Sequence, residues 1–193
     1  MPASPSSPRS PSPPALGWVF LDRDGTLNAA APPGDYIERP DDLELLPGAA
    51  EAVRLLNHAG IWTGLVTNQR GVALGIMSMD DVRAVNLRLT ELLGLENAYL
   101  DDIYVCPHDI GVCDCRKPEP GMMLRAQREN PGLEFARAAM VGDSAGDVLA
   151  GQRLGMTTVL IAPGGQAPGE VIADHVVEGP LQAAAVVLRT ARA

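Results

Sequence analysis

No stretch of this chain combines the length and apolarity of a membrane-spanning helix, and its N-terminus lacks the apolar core expected of a secretory signal. Positive charge is short: 15 lysines and arginines stand against 24 acids, a formal net charge of −9. Such a surface repels nucleic acid and anionic membranes, so neither is an expected partner. An anionic small molecule could bind only at a local positive focus. Cysteine is scarce as well. All three fall between Cys106 and Cys115. An odd, crowded set argues against a disulfide framework and favours metal binding in a reducing cytoplasm. There is no internal repeat, and no coiled-coil pattern calls for a dimer, so a monomer is expected.

What is present suits one globular domain. The 193 residues are 46% hydrophobic, enough to bury a core without disulfides. Residues 1–14 hold six prolines and five serines and read as a disordered tail. The single domain then spans 15–193. Its first apolar run, Gly17 to Asp22, reads as a buried parallel strand delivering Asp22 to its carboxyl end. Further strands are expected at 61–66, 103–105, 138–141 and 157–161. Helices are expected at 48–59 (Pro47 at its start, Gly60 as its stop), 79–93 (Ser78 as N-cap, Gly94 as stop), 121–129, 146–154 and 181–189. Strands alternating with helices imply an α/β, doubly wound parallel sheet with its site at the strand carboxyl ends. The segment from Asp24 to Gly48 leaves little room for an inserted cap, and Thr67 to Lys117 is filled by a helix, a strand and the cysteine loop, so no separate cap domain is expected.

Three polar clusters follow strands and would meet at one edge. Asp22 and Asp24 are two acids beside a turn that Gly25 allows, so one carboxylate can attack phosphorus while the other manages protons. The same residues could simply close a strand. Asp143 and Asp147 add two more acids. Like charges brought together need a cation, and magnesium suits oxygen ligands beside phosphate. Asp143 could alternatively cap the next helix. Thr67 and Asn68 can offer a hydroxyl and an amide to phosphate oxygens. Arg116 and Lys117 supply the positive focus, Lys117 for a developing charge and Arg116 for a second anionic group.

The cysteine loop, 106–115, holds Cys106, His108, Cys113 and Cys115. Three thiolates and an imidazole suit a closed, structural, tetrahedral zinc, which would fix the adjoining Arg116 and Lys117. Buried free thiols are the plainer alternative.

Asp22-x-Asp24-Gly-Thr, Thr67-Asn, Lys117-Pro and Gly-Asp143-x3-Asp147, in that order over residues 17–162, resemble the four motifs of the haloacid dehalogenase superfamily. The resemblance implies a Rossmann-like sheet and an aspartyl-phosphate mechanism. Asp22 would be the nucleophile and Asp24 the general acid and base, with Thr67 and Lys117 stabilising the phosphoryl group. Magnesium would be held by Asp22, the Asp24 carbonyl and Asp143, with Asp147 in the outer shell. The run Cys-Pro-His to Cys-Asp-Cys-Arg-Lys-Pro-Glu-Pro-Gly-Met, with Thr67-Asn-Gln-Arg-Gly, further resembles the heptose-1,7-bisphosphate 7-phosphatases and, more distantly, histidinol phosphatases. It implies a small sugar phosphate as partner, the C7 phosphate leaving, and substrate contacts from Thr67, Asn68, Gln69, Arg70, Arg116, Lys117 and Tyr36. Histidinol phosphate is the alternative substrate. The alternative from another class is a zinc-stabilised binding protein without catalysis.

Overall fold

A computed structural model of the protein describes residues 16–165 and 171–191. The proline- and serine-rich segment 1–14 lies outside them. Within the described residues six strands form one sheet: β1 (Trp18–Leu21), β2 (Trp62–Asn68), β3 (Asp102–Cys106), β4 (Ala138–Gly142), β5 (Thr157–Ile161) and β6 (His175–Val177). Their order is β3-β2-β1-β4-β5-β6, and every pairing is parallel. The chain winds outward from β1 to β3, then returns to the other side of β1 as β4. The winding therefore reverses beside β1, the place where open α/β sheets form a crevice at their carboxyl ends.

Helices cover both faces, so the central strands are apolar nearly throughout. Val19, Leu21, Leu65 and Val141 pack against α1 (Ala49–His58), α2 (Met79–Leu95) and α5 (Pro180–Thr190). Phe20, Val66, Tyr104 and Met140 face the opposite way, towards α3 (Gly121–Glu129) and α4 (Ala145–Arg153). The alternation along β1 thus feeds two cores, one on each face.

The boundaries match the sequence reading with informative exceptions. Ser78 caps α2 in a reciprocal capping box with Asp81. Gly94 does not stop that helix, which runs on to Leu95; Asn97, at φ 57°, takes the left-handed turn instead. Asparagine tolerates that conformation, so a glycine was not required. Pro47 stands just outside α1, and Gly48, at φ 78°, is its N-cap. Strand β6 was not anticipated. It has only three residues, two of them exposed at the sheet edge, too few to show a period. The long connections contain a 3-10 turn at Pro40–Asp42, α2 and β3, and no separate lid domain among the described residues.

Candidate active site

Register brings the functional residues to one edge. Leu21 lies opposite Leu65 and Val141. Asp22 is therefore the first residue beyond β1, and its N–H donates to Val141 O at 2.9 Å. Thr67 and Asn68 end β2, and Asp143 follows β4.

Lys117 is the only lysine in the chain, and it is buried. Its ammonium donates to Val66 O at 2.7 Å and lies 2.7 Å from Asp22 Oδ1 and 2.6 Å from Asp147 Oδ1. Burial alone would pull its pKa down, but attraction to Asp147 and Asp22 outweighs burial and holds it above the ordinary lysine value. It therefore carries a full charge. Two clamps fix it. Asn68 accepts from Lys117 N at 3.0 Å and donates to Lys117 O at 3.1 Å. The side chain of Asn68, expected at the substrate, makes both of these bonds to the lysine backbone.

The acids are crowded. Asp22, Asp143 and Asp147 each place a carboxylate oxygen within 4.8 Å of the others. Burial, opposed by Lys117, pushes Asp22 up to about 7. Burial and the charge of Asp147 push Asp143 up to about 6. One ammonium does not balance three carboxylates, so the set suits a hard divalent cation. Asp147 is already committed: one oxygen faces Lys117, and the other takes Ser144 N at 3.1 Å and Ser144 Oγ at 2.5 Å. Ser144, not Asp143, caps α4, which leaves the Asp143 carboxylate free for the crevice. Two glycines make the crowding possible. A Cβ on Gly25 would sit 2.0 Å from Asp143 Oδ2, and one on Gly142 would sit 2.2 Å from Asp147 Cγ.

Asp24 points elsewhere. Its Oδ1 accepts from Arg23 Nε at 3.2 Å and Asn28 Nδ2 at 2.9 Å. Its Oδ2 accepts from Arg23 Nη2 at 3.0 Å and Gln69 Nε2 at 2.9 Å. Gln69, expected to touch substrate, is buried and also donates to Thr67 Oγ1 at 2.8 Å. Arg23 and Asn28 were not singled out in the sequence; both are buried polar side chains, and their burial shows only in the fold. A cavity of about 250 Å³ opens over Asp24, Asn68 and Gln69, walled by residues 30–37 including Tyr36. Tyr36, expected at the substrate, stands in this wall.

The cysteine loop gathers as its spacing suggested. Cys106 Sγ lies 3.6 Å from Cys113 Sγ and 3.2 Å from Cys115 Sγ, and His108 Nδ1 lies 3.1 Å from Cys115 Sγ. Burial and the two facing thiols push the Cys115 thiol up, and a cation among the sulfurs would favour its thiolate. Four such atoms at this spacing fit a small tetrahedral ion. The loop is pinned on both sides. Gly121 N donates to Asp114 O at 2.8 Å, and a Cβ there would lie 2.4 Å from that oxygen. Arg70 pairs with Asp109 of the loop, so this arginine holds the loop rather than standing free. Arg116 keeps one buried guanidinium nitrogen, Nη1, without a hydrogen-bond partner.

Fold and site together define a class: a parallel α/β protein with a cation-hungry carboxylate crevice and a buried ammonium at its topological switch point. Residues 17–155 match the family described as haloacid dehalogenase-like hydrolase. A D-glycero-beta-D-manno-heptose-1,7-bisphosphate 7-phosphatase of Rhodopseudomonas palustris is 38% identical over 159 residues, 78% of this chain and 83% of that protein. A D-glycero-alpha-D-manno-heptose-1,7-bisphosphate 7-phosphatase of Mycobacterium bovis is 40% identical over 131 residues, 67% of this chain and 68% of that one. The crystal structure of a D,D-heptose 1,7-bisphosphate phosphatase from B. bronchiseptica, complexed with magnesium and phosphate, superimposes with a TM-score of 0.81 at 29% identity, covering 90% of this chain and 99% of that one. The chain belongs to the haloacid dehalogenase-like hydrolase family and is an enzyme of that family.

Proposed function

We propose that the protein hydrolyses the C7 phosphate of D-glycero-D-manno-heptose 1,7-bisphosphate through an aspartyl-phosphate on Asp22. The observation that carries this reading is the ammonium of Lys117 held 2.7 Å from Asp22 Oδ1, in a chain whose relatives bear that activity in their names. The Asp22 carboxylate attacks phosphorus while the bond from phosphorus to the sugar oxygen breaks. Asp24 gives the leaving oxygen its proton. Asp24 then takes a proton from water, whose oxygen attacks phosphorus and releases inorganic phosphate and Asp22. Lys117 offsets charge on the transferring group, and Thr67 offers its hydroxyl proton to the same oxygens.

Asp22, Asp143 and the carbonyl of Asp24 are the residues that would hold magnesium, with Asp147 behind them. The ion would supply neutralising charge beside the phosphate. Cys106, His108, Cys113 and Cys115 would hold a structural zinc that stiffens the approach to Arg116 and Lys117. Arg116, with its unpartnered nitrogen, is suited to the second phosphate, and Tyr36 to the sugar. Arg70 supports this wall of the pocket through Asp109. The enzyme works as a monomer on a small sugar phosphate, in a reducing cytoplasm where thiolates persist.

The test compares phosphate release from the α and β anomers of the heptose bisphosphate with release from histidinol phosphate. The heptose bisphosphate should be preferred by at least about tenfold in kcat/KM, a difference of about 1.4 kcal/mol in transition-state binding. Faster turnover of histidinol phosphate would reverse the assignment. Asp22→Asn should retain its fold and lose turnover by more than about 10³-fold.

A further inference from the structure

Arg23 stands between the two motif acids and is wholly buried. A buried guanidinium keeps its charge and must find acceptors for its donors. Two of its nitrogens grip both oxygens of Asp24. The third, Nη1, donates to Asn86 Oδ1 at 2.9 Å, across 63 residues of sequence. The Arg23 carbonyl accepts from Leu27 N at 2.8 Å and Asn28 N at 3.1 Å, so its backbone is locked as well. Asn86 itself is buried on α2, in the stripe made by Val82, Val85, Leu89 and Leu93. A polar side chain in such a stripe is costly unless bonded, and its oxygen meets this arginine.

We infer that Asn86 is a positioning residue: through Arg23, and beside the Asn28 and Gln69 amides on the same two oxygens, it helps to set the direction in which the Asp24 carboxylate points. The arginine can swing only if Nη1 is released, and the planar guanidinium transmits that swing to both Asp24 oxygens at once. Asn86 is a remote anchor on a helix, touching neither the cavity over Asp24 nor the carboxylate crevice. The inference rests on Asp24 as proton donor to the leaving group, as proposed above.

That dependence supplies the test. The quantity kcat/KM reports only steps up to loss of the leaving group. A sugar alkoxide needs a proton to leave, whereas p-nitrophenolate does not. Asn86→Ala should therefore lower kcat/KM for heptose bisphosphate by about ten- to hundredfold, within the usual contribution of general acid catalysis. KM and kcat/KM for p-nitrophenyl phosphate should stay within about twofold. Asn86→Asp keeps the acceptor and should restore most of the loss. Equal losses on both substrates, or no rescue by aspartate, would reduce Asn86 to a packing role and overturn the inference. If Asn86→Ala does not fold, Asn86→Ser, with a shorter acceptor, carries the same comparison. The unmodified protein keeps the two ideas apart: its failure to release phosphate from heptose bisphosphate would count against the proposed activity, while the substrate ratio in the variants judges Asn86.

Discussion

The two candidate metal sites meet at Lys117, which follows Cys115 by two positions and reaches the acids, yet they are built in opposite ways. The cysteine quartet comes from ten consecutive positions, 106–115, and any chain that closes this loop around a cation brings its ligands together. The acidic site draws on the ends of β1, β2 and β4, on the start of α4 and on the loop before α3, residues spread along the chain from Asp22 to Asp147. A local site can assemble early and stabilise the fold. A dispersed site can form only once the sheet registers, and its burial of like charges works against the fold. Lys117 joins the two, following the loop directly and reaching across to Asp22.

Breaking the joint should have the largest effect. Lys117→Met keeps the volume but leaves Asp22 and Asp147 without their cation. Activity should fall by about 10²–10³-fold or more, as when an oxyanion donor is lost. Metal-free stability should fall by about 3–5 kcal/mol, the usual result of stripping one partner from a buried charge set. Phosphate release and denaturant melts would show both. Retained activity would detach the loop from the chemistry.

Removing the local site alone should come next. The parent protein should carry one zinc per chain by elemental analysis, and Cys115→Ser should lose it. The melting temperature should drop by more than about 5 °C, since binding energy at a structural zinc is folding energy. A parent purified without zinc but fully stable would remove the loop's proposed role.

The dispersed site should respond to pH. Burial pushes Asp22 up to about 7 and Asp143 up to about 6, against an ordinary 3.8. Folded protein therefore holds more protons than unfolded protein between these values, so metal-free stability declines as pH rises from about 4 to about 7. Magnesium favours the ionised carboxylates, so the melting shift it produces should be greater near pH ~7.5 than near pH ~5. An equal shift at both would show the ion binding elsewhere. The smallest effect should come from Arg70→Ala. Its partner Asp109 is partly exposed, so the lost stability should be about 0–1 kcal/mol. Any larger change should appear as a raised KM for the bisphosphate, through a loosened loop.

The contrast also explains what could be read in advance. Parallel strands buried on both faces are short apolar runs, and β1, β2, β4 and β5 were visible as such. Their polar ends marked Asp22, Thr67 and Asp143, and the packed cysteines marked their own site. The commitments of individual polar groups were not visible. Asn68 and Gln69 have the right chemistry for phosphate, but one clamps Lys117 and the other holds Asp24. Asn86 looked like one more residue of an amphipathic helix. A side chain's hydrogen-bond partner is chosen by distance in space, which residue type does not encode.

Composition, strand periodicity and motif order were enough to establish a doubly wound sheet, its acidic carboxyl edge and a local thiol cluster, because these depend on the spacing of neighbours along the chain. Only the tertiary structure decided that Asp147 faces Lys117, that Ser144 frees Asp143, and that Arg23 is anchored from α2. Burial removes water as a partner, so each polar group must take whatever the folded chain places within about 3 Å of it.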